Sequence, residues 1–148
     1  MCPTICEDER VFVQMLYGTP YVPNRGDVVA FLYGQDRSVF VKRVIGLPGD
    51  IVASGPNGGI LVNGRAWQPP PICGKPVVEA AQNNSALYSA FTQTHVAPGH
   101  LFVIGDNLQD SFDSRIPDFA PVTPDTVIGK PVMIYWSKGN SRIGCAVR

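Results

Sequence analysis

Apolar and polar residues alternate in short runs along most of this chain, and turn-forming residues separate the runs. Val, Ile, Phe and Tyr dominate the runs, while Gly, Pro, Asn and Asp gather between them, as at Leu47–Gly49 and Asn63–Gly64. Such runs between tight turns are typical of strands. The pattern predicts an all-β protein of mostly antiparallel sheets with little helix.

Each strand is predicted where one of these runs lies between two turns. The expected strands lie near Arg10–Leu16, Asp27–Tyr33, Val39–Ile45, Asp50–Ala53, Ile60–Val62, His100–Ile104, Val127–Trp136 and Ile143–Val147. Only Val78–Phe91 could hold a helix, and the pair Asn83–Asn84 weakens that prediction. The prolines of Trp67–Cys73 exclude a central strand, because proline lacks the N–H that a ladder needs.

Length and charge indicate a single domain without an electrostatic attraction to nucleic acid. A chain of 148 residues can bury about two thirds of its unfolded surface. Lys plus Arg equal Asp plus Glu at twelve each, so no net charge would steer it to nucleic acid or an anionic membrane. No window approaches the length of an apolar membrane span, and no signal peptide is evident.

The four cysteines are Cys2, Cys6, Cys73 and Cys145. Cys2 and Cys6 are not followed by a Cys/His pair at zinc-like spacing, so we expect no metal site, and nothing in the sequence calls for a cofactor. A disulfide is possible in an oxidising compartment, but spacing alone cannot choose the pairing. The default expectation is small buried thiols.

Candidate chemistry begins with Lys42. It shares a strand face with Phe40 and Val44, because side chains two apart point the same way. Burying an unpaired ammonium costs several kcal/mol, so a lysine in such a place tends to lose its proton and become a base. The alternative is an edge-strand lysine whose stem covers apolar surface while its head reaches water.

The segments around this lysine and around Ser111 resemble conserved boxes of a known family. They are Val39–Asp50, with Lys42-Arg43 and Gly46-Leu-Pro-Gly-Asp50, and Phe102–Arg115, with Gly105-Asp-Asn107 and Asp110-Ser-Phe-Asp-Ser-Arg115. Further matches are Met1–Ile5, Arg25–Phe31, Ile128–Pro131 and Tyr135–Ser137. Together they resemble the type I signal peptidases, membrane-anchored serine proteases with a Ser/Lys dyad. Residues 65–97 fall outside the resemblance, and we treat them as a variable insertion in one domain, 1–148.

The resemblance implies a role for each matched residue. Lys42 would be the general base and Ser111 the hydroxyl that orients its amine. The substrate pocket would be lined by Met1, Ile5, Phe40 and Val41. The supporting charge network would consist of Arg43, Asp106, Asp113 and Arg115. The implied specificity is for small residues at the first and third positions before the cut.

The nucleophile is the main departure from the family pattern. The family serine directly precedes the methionine that matches Met1, and none of the serines in this chain occupies that place. We expect the serine and a membrane anchor to precede Met1 in the natural protein, so that the chain as printed is inactive.

The implied partners are the signal peptides of preproteins exported across a bacterial plasma membrane, with the catalytic domain on the extracytoplasmic side. The alternatives are a pseudo-protease that binds peptides without cutting them, and a self-cleaving repressor-type Ser/Lys peptidase.

Overall fold

In the computed structural model of the chain, residues 1–18, 20–71, 73, 91, 93–108, 110–139 and 141–148 are described. Nine strands lie in this part: β1 Arg10–Met15, β2 Val28–Tyr33, β3 Ser38–Gly46, β4 Ile51–Ser54, β5 Ile60–Val62, β6 Arg65–Trp67, β7 Thr94–His95, β8 Phe102–Ile104 and β9 Val127–Trp136. The helical elements of the described part are two short 3-10 turns, Pro56–Gly58 and Pro124–Thr126. The predicted all-β class is confirmed.

The strands form two antiparallel sheets. The larger has the order β1-β9-β2-β3-β8, and the smaller has the order β6-β5-β4-β7. β3 lies between β2 and β8, but its described pairing with β8 covers only Arg43 to Gly46. On that side, the Ser38–Lys42 half of β3 therefore keeps an unpaired edge among the described residues.

Two apolar cores lie on opposite sides of β3 and β8, because successive side chains of a strand point to opposite faces. Val44 and Val103 belong to the core that also contains Val29 and Phe31. Ile45 belongs to the other core, with members on both sheets: Val52, Ile60, Val62, Val96, Phe102 and Ile104. A Cβ on Gly46 would come within 2.9 Å of atoms of Val52, Val96 and Phe102, so a glycine is needed where the sheets meet.

Most predicted strands are confirmed to within about two residues at each end. The prediction near Ile143–Val147 was wrong, since that segment contributes only an isolated bridge between Ala146 and Met133. The strands β6 and β7 were not predicted, and both lie within residues 65–97. The predicted helix over Val78–Phe91 lies outside the described residues, apart from Phe91 itself.

Two disulfide bonds correct the expectation of buried thiols. Cys2 is bonded to Cys6, and Cys73 is bonded to Cys145. The pairing depends on the fold, because β9 and the turn after it bring Cys145 back to a residue that is 72 positions away in the sequence. Cysteine spacing carries no information about such a return of the chain.

Candidate active site

Lys42 and Ser111, which are far apart in the sequence, meet in the structure. Lys42 Nζ donates a hydrogen bond to Ser111 Oγ at 2.8 Å. Ser111 is buried and Lys42 is half-buried, and Lys42 Nζ lies 5.8 Å from the centre of the Phe40 ring. The Lys42 amine thus donates a hydrogen bond to the Ser111 hydroxyl in partly buried surroundings that include the Phe40 ring.

Gly105 makes room for this pair. A Cβ at this position would lie 2.2 Å from Ser111 Oγ and 3.3 Å from Lys42 Nζ. Real Cβ atoms do not approach other atoms so closely, so any larger residue would push Ser111 away from Lys42. Gly105 belongs to the matched motif Gly105-Asp-Asn107, but nothing in the sequence alone predicts this role.

The surroundings of Lys42 favour its neutral form. Burial lowers the pKa of Lys42 below the ordinary lysine value, and the positive charge of Arg115 acts in the same direction. The nearby carboxylates of Asp113, Asp106 and Asp110 act to raise the pKa of Lys42, but they do not cancel the lowering. Lys42 can therefore act as a base at a lower pH than a solvated lysine can.

Arg43 points away from Lys42 and holds a buried network together. Its Nε and Nη2 donate to the two carboxylate oxygens of Asp106 at 2.8 and 2.6 Å. Nη2 also donates to Thr4 Oγ1 at 3.0 Å, and the Thr4 hydroxyl in turn donates to Asp106. Its Nη1 donates to the carbonyl oxygens of Gly26 and Arg148. One guanidinium thus connects the start, the middle and the end of the chain.

A second buried ion pair fixes the segment that carries Ser111. Arg115 donates twice to the carboxylate of Asp113, with both distances 2.8 Å. Asp113 also accepts the backbone N–H of Gly105 at 3.0 Å, and Arg115 donates to the carbonyl oxygen of Leu108. The loop between β8 and Arg115 is therefore held at both ends.

The predicted substrate-lining residues lie at two places. Met1 and Ile5 belong to the N-terminal loop, where the N–H of Ile5 donates to the Met1 carbonyl oxygen at 3.2 Å. Phe40 and Val41 are neighbours on β3, so their side chains point to opposite faces. The Phe40 ring lies on the same face of β3 as Lys42 and stacks on the Tyr33 ring, with the ring centres 4.6 Å apart. All four residues are half-buried.

The charge of Lys42 acts on the α-amino group of Met1. Burial lowers the pKa of the Met1 α-amino group, and the positive charge of Lys42 lowers it further. Any residue joined before Met1 would therefore start from a point within the electrostatic field of Lys42.

Comparison with known proteins identifies the family. The family described as "Signal peptidase, peptidase S26" matches residues 1–136. The chain belongs to the signal peptidase family. Signal peptidase I of Bacillus caldolyticus is 33% identical over 139 residues, covering 92% of this chain and 74% of the relative. Signal peptidase I U of Bacillus subtilis is 28% identical, covering 96% of this chain and 74% of the relative.

A solved structure supports the same fold for this signal peptidase family member. The signal peptidase I of Enterococcus faecalis V583 superposes with a TM-score of 0.57 at 27% identity, covering 76% of this chain and 98% of the other. Within the described residues, no helix is long and apolar enough to cross a membrane.

Thr4 and Arg142 were missed by sequence analysis. Thr4 lies inside a quoted motif, and its contact with Asp106 bridges residues too distant for sequence spacing to reveal. Arg142 lies after the last matched motif and reaches the N-terminal loop only through the fold.

Proposed function

We propose that this chain is the catalytic domain of a serine endopeptidase that removes N-terminal signal peptides from exported preproteins, cutting after small residues. The observation that carries the proposal is the Lys42–Ser111 hydrogen bond of 2.8 Å, in surroundings that lower the pKa of Lys42. A serine hydroxyl is a weak nucleophile until a base takes its proton. A lysine that is neutral near the working pH can serve as that base.

The proposed nucleophile is a serine joined directly before Met1. The electrostatics of the Met1 α-amino group support this placement, because its pKa is lowered first by burial and then by the charge of Lys42. Lys42 takes the proton of the serine Oγ as Oγ attacks the scissile carbonyl carbon, and Ser111 keeps the lysine amine aimed at the reacting oxygen. Lys42 then returns a proton to the leaving amine, and a water molecule hydrolyses the acyl-enzyme ester.

The unpaired half of β3 is the proposed docking edge for the substrate. An extended peptide can add to an open strand edge through main-chain hydrogen bonds, while alternate side chains enter pockets. This unpaired edge ends at Lys42, the proposed general base. Met1, Ile5, Phe40 and Val41 are proposed to restrict those pockets to small residues.

The proposed location is the extracytoplasmic side of a bacterial plasma membrane, with an anchor that precedes Met1. The two disulfides support this assignment, since disulfides persist in oxidising compartments. The match of residues 1–136 to the signal peptidase family also favours this function over that of a self-cleaving repressor.

The test compares three proteins: the chain as printed, the chain extended so that serine directly precedes Met1, and the same extension ending in alanine. Each is incubated with a peptide that carries alanine at the first and third positions before the cut, and products are identified by mass spectrometry. Only the serine version should cut, at the predicted bond. Cleavage by the printed chain that disappears in Lys42→Ala would show that another hydroxyl is the nucleophile.

A peptide-binding pseudo-protease is the second candidate, because the edge of β3 that lacks a partner among the described residues could bind an extended peptide without cutting it. It predicts that the serine version is folded and binds the peptide yet leaves it intact. Circular dichroism and calorimetry on the same three proteins separate this outcome from misfolding.

A further inference from the structure

Arg142 joins the last segment of the chain to the N-terminal loop, and it lies beyond the residues 1–136 that match the family. Its Nη1 donates to the carbonyl oxygen of Pro3 at 2.7 Å, and its Nη2 donates to that of Thr4 at 2.6 Å. Its Nε lies 2.9 Å from Oε1 of Glu9. All three nitrogens of the guanidinium therefore face the N-terminal segment.

Glu9 completes this contact. Its side chain is 4% exposed, and it accepts the backbone N–H of Cys6 at 2.8 Å and the hydroxyl of Ser137 at 2.9 Å. The carboxylate thus bridges the end of the N-terminal loop to the end of β9. The Arg142–Glu9 pair is an ion pair without a hydrogen bond at Nε among the described residues, whereas the bonds from Cys6 and Ser137 to the carboxylate are charge-assisted hydrogen bonds, which are stronger than neutral ones.

The N-terminal loop, Met1–Cys6, lies outside the strands, and its shape depends on the Cys2–Cys6 disulfide together with such polar contacts. Thr4 is held from two sides: its hydroxyl by Asp106 and Arg43, and its carbonyl oxygen by Arg142. The N–H of Thr4 donates to the Met1 carbonyl oxygen at 2.9 Å. Two hydrogen bonds in series therefore lead from Arg142 to Met1.

The segment around Arg142 is itself fixed. The N–H of Gly144 donates to the Ile134 carbonyl oxygen at 2.8 Å, and the N–H of Ile134 donates to that of Cys145 at 3.0 Å. Cys145 is also bonded to Cys73. Arg142 is consequently attached to β9 and can transmit that rigidity to the loop.

We propose that Arg142 is a positioning residue that holds the loop Met1–Cys6 in its reactive shape. The inference rests on the proposed function, in which the nucleophilic serine is joined directly before this loop, and Met1 and Ile5 form part of the substrate pocket. Arg142 touches neither the substrate nor the reacting atoms. Its effect is to limit the positions that the serine oxygen can take relative to Lys42.

The first test measures order in the loop of the printed chain and does not depend on activity. Amide hydrogen exchange is followed by NMR in the parent, Arg142→Met, Arg142→Lys and the control Arg65→Met, which alters an exposed arginine on β6. Arg142→Met should speed the exchange of Thr4 and Ile5 at least about tenfold and leave the core amides of β2 unchanged. Arg142→Lys should retain part of the protection, because a lysine ammonium can replace only some of the hydrogen bonds that the planar guanidinium donates.

The second test uses the same variants in the version with serine before Met1. Misplacement of a reacting group by about 1 Å can cost about 10²-fold in rate, so Arg142→Met should lower kcat about 10- to 100-fold. KM should change less than kcat, because the β3 edge remains intact and only the part of the pocket at Met1 and Ile5 is disturbed. The pH at the midpoint of the rising limb should not move, since Lys42 keeps its surroundings.

The outcomes separate this inference from the proposed function. Unchanged loop exchange in Arg142→Met would overturn the inference, as would faster exchange with an unchanged kcat in an active parent. A change in KM with kcat unaltered would also overturn it, because that result would assign Arg142 to binding alone. If the serine version of the parent is folded but inactive, the proposed function fails, and the exchange result alone decides whether Arg142 orders the loop.

Discussion

At the scale of single residues, strand periodicity was informative about Lys42 and uninformative about its partners. The two-residue repeat correctly placed Lys42 with Phe40, since the two side chains meet on one face of β3. The meeting with Ser111 could come only from the family resemblance, because no local rule relates residues that are 69 positions apart. The role of Gly105 depends on atoms within 3.3 Å that belong to two other segments.

Lys42→Met in the serine version should lower kcat/KM by about 10²–10⁴, the usual contribution of a general base. Met retains the volume of the side chain but has no amine. An unfolded lysine keeps its proton up to a pH of about 10.4, whereas burial lowers the pKa of folded Lys42. At pH 7 the folded state therefore disfavours the protonated form of Lys42. Replacing Lys42 by Met removes this cost, so the variant's free energy of unfolding should be unchanged or raised. Retained activity in a folded variant would refute the dyad.

The pH dependence of kcat/KM should rise and then level off below the range of a solvated lysine, because only neutral Lys42 can accept a proton. The carboxylate of the exposed residue Asp110 raises the pKa of Lys42. Asp110→Asn should therefore move the rising limb to lower pH, and added salt should shrink that shift by screening the parent's charge. Asp118→Asn, which alters another exposed aspartate, is the control. If the rising limb of the kcat/KM profile lies at the same pH in Asp110→Asn and in the parent at low salt, a group other than Lys42 titrates.

At the scale of secondary-structure elements, strands formed by apolar runs could be predicted, including the three-residue β5, whereas β6 and β7 could not. The bounds of β9 were predicted to the residue because a mostly apolar segment, interrupted by Gly129-Lys-Pro131, stands between turn signals. β6 and β7 have three and two residues and contain the polar or charged side chains of Arg65, Thr94 and His95, so neither forms an apolar run. They are strands because β5 and β4 lie beside them. Strand pairing of this kind is a property of the fold rather than of the segment.

Asp50→Asn should show how much the turn after β3 depends on one carboxylate. Asp50 accepts the Leu47 N–H at 2.5 Å and pairs with Arg25 at 2.9 Å, and Asn63 donates to it at 2.8 Å. The amide variant should lose about 2–3 kcal/mol at pH 7, the worth of a charged hydrogen bond.

The loss should depend on pH in a defined direction. Burial alone would raise the pKa of Asp50, but hydrogen bonds from Arg25, Leu47 and Asn63 outweigh it and lower that pKa. The stabilisation is therefore present above the unfolded pKa of about 3.9 and is lost as the pH falls through the lower folded value. Urea unfolding at pH 7 and at pH 2 should show the gap between parent and variant narrowing in acid. An equal gap at both pH values would contradict this account.

At the scale of the whole molecule, composition could not predict whether the four cysteines form disulfide bonds or remain free thiols. Four cysteines allow three ways of forming two bonds, and the choice depends on where the folded chain brings them. The two bonds close loops of very different length, with sequence separations of 4 and 72. Their contributions to stability should differ accordingly.

Replacing Cys73 and Cys145 by serine should lower the free energy of unfolding by about 4 kcal/mol, and replacing Cys2 and Cys6 by about 2 kcal/mol, because the longer closed loop restricts the unfolded chain more. Urea unfolding under oxidising conditions measures both. In the presence of a reductant, each variant should match the reduced parent closely. A larger loss from the short loop would mean that Cys2–Cys6 acts mainly on the folded state.

The contacts of Arg43 have a consequence for large-scale mutagenesis of this protein. Its guanidinium is fully buried and satisfied by groups from four separate segments, so removing it would leave Asp106 buried without its cation. A survey that scores only substrate turnover would rank Arg43 beside Lys42. A parallel survey of protein abundance would separate them, because cells would degrade an Arg43 variant while an Lys42 variant would accumulate. Abundance and turnover together would distinguish the residues that build this site from those that react in it.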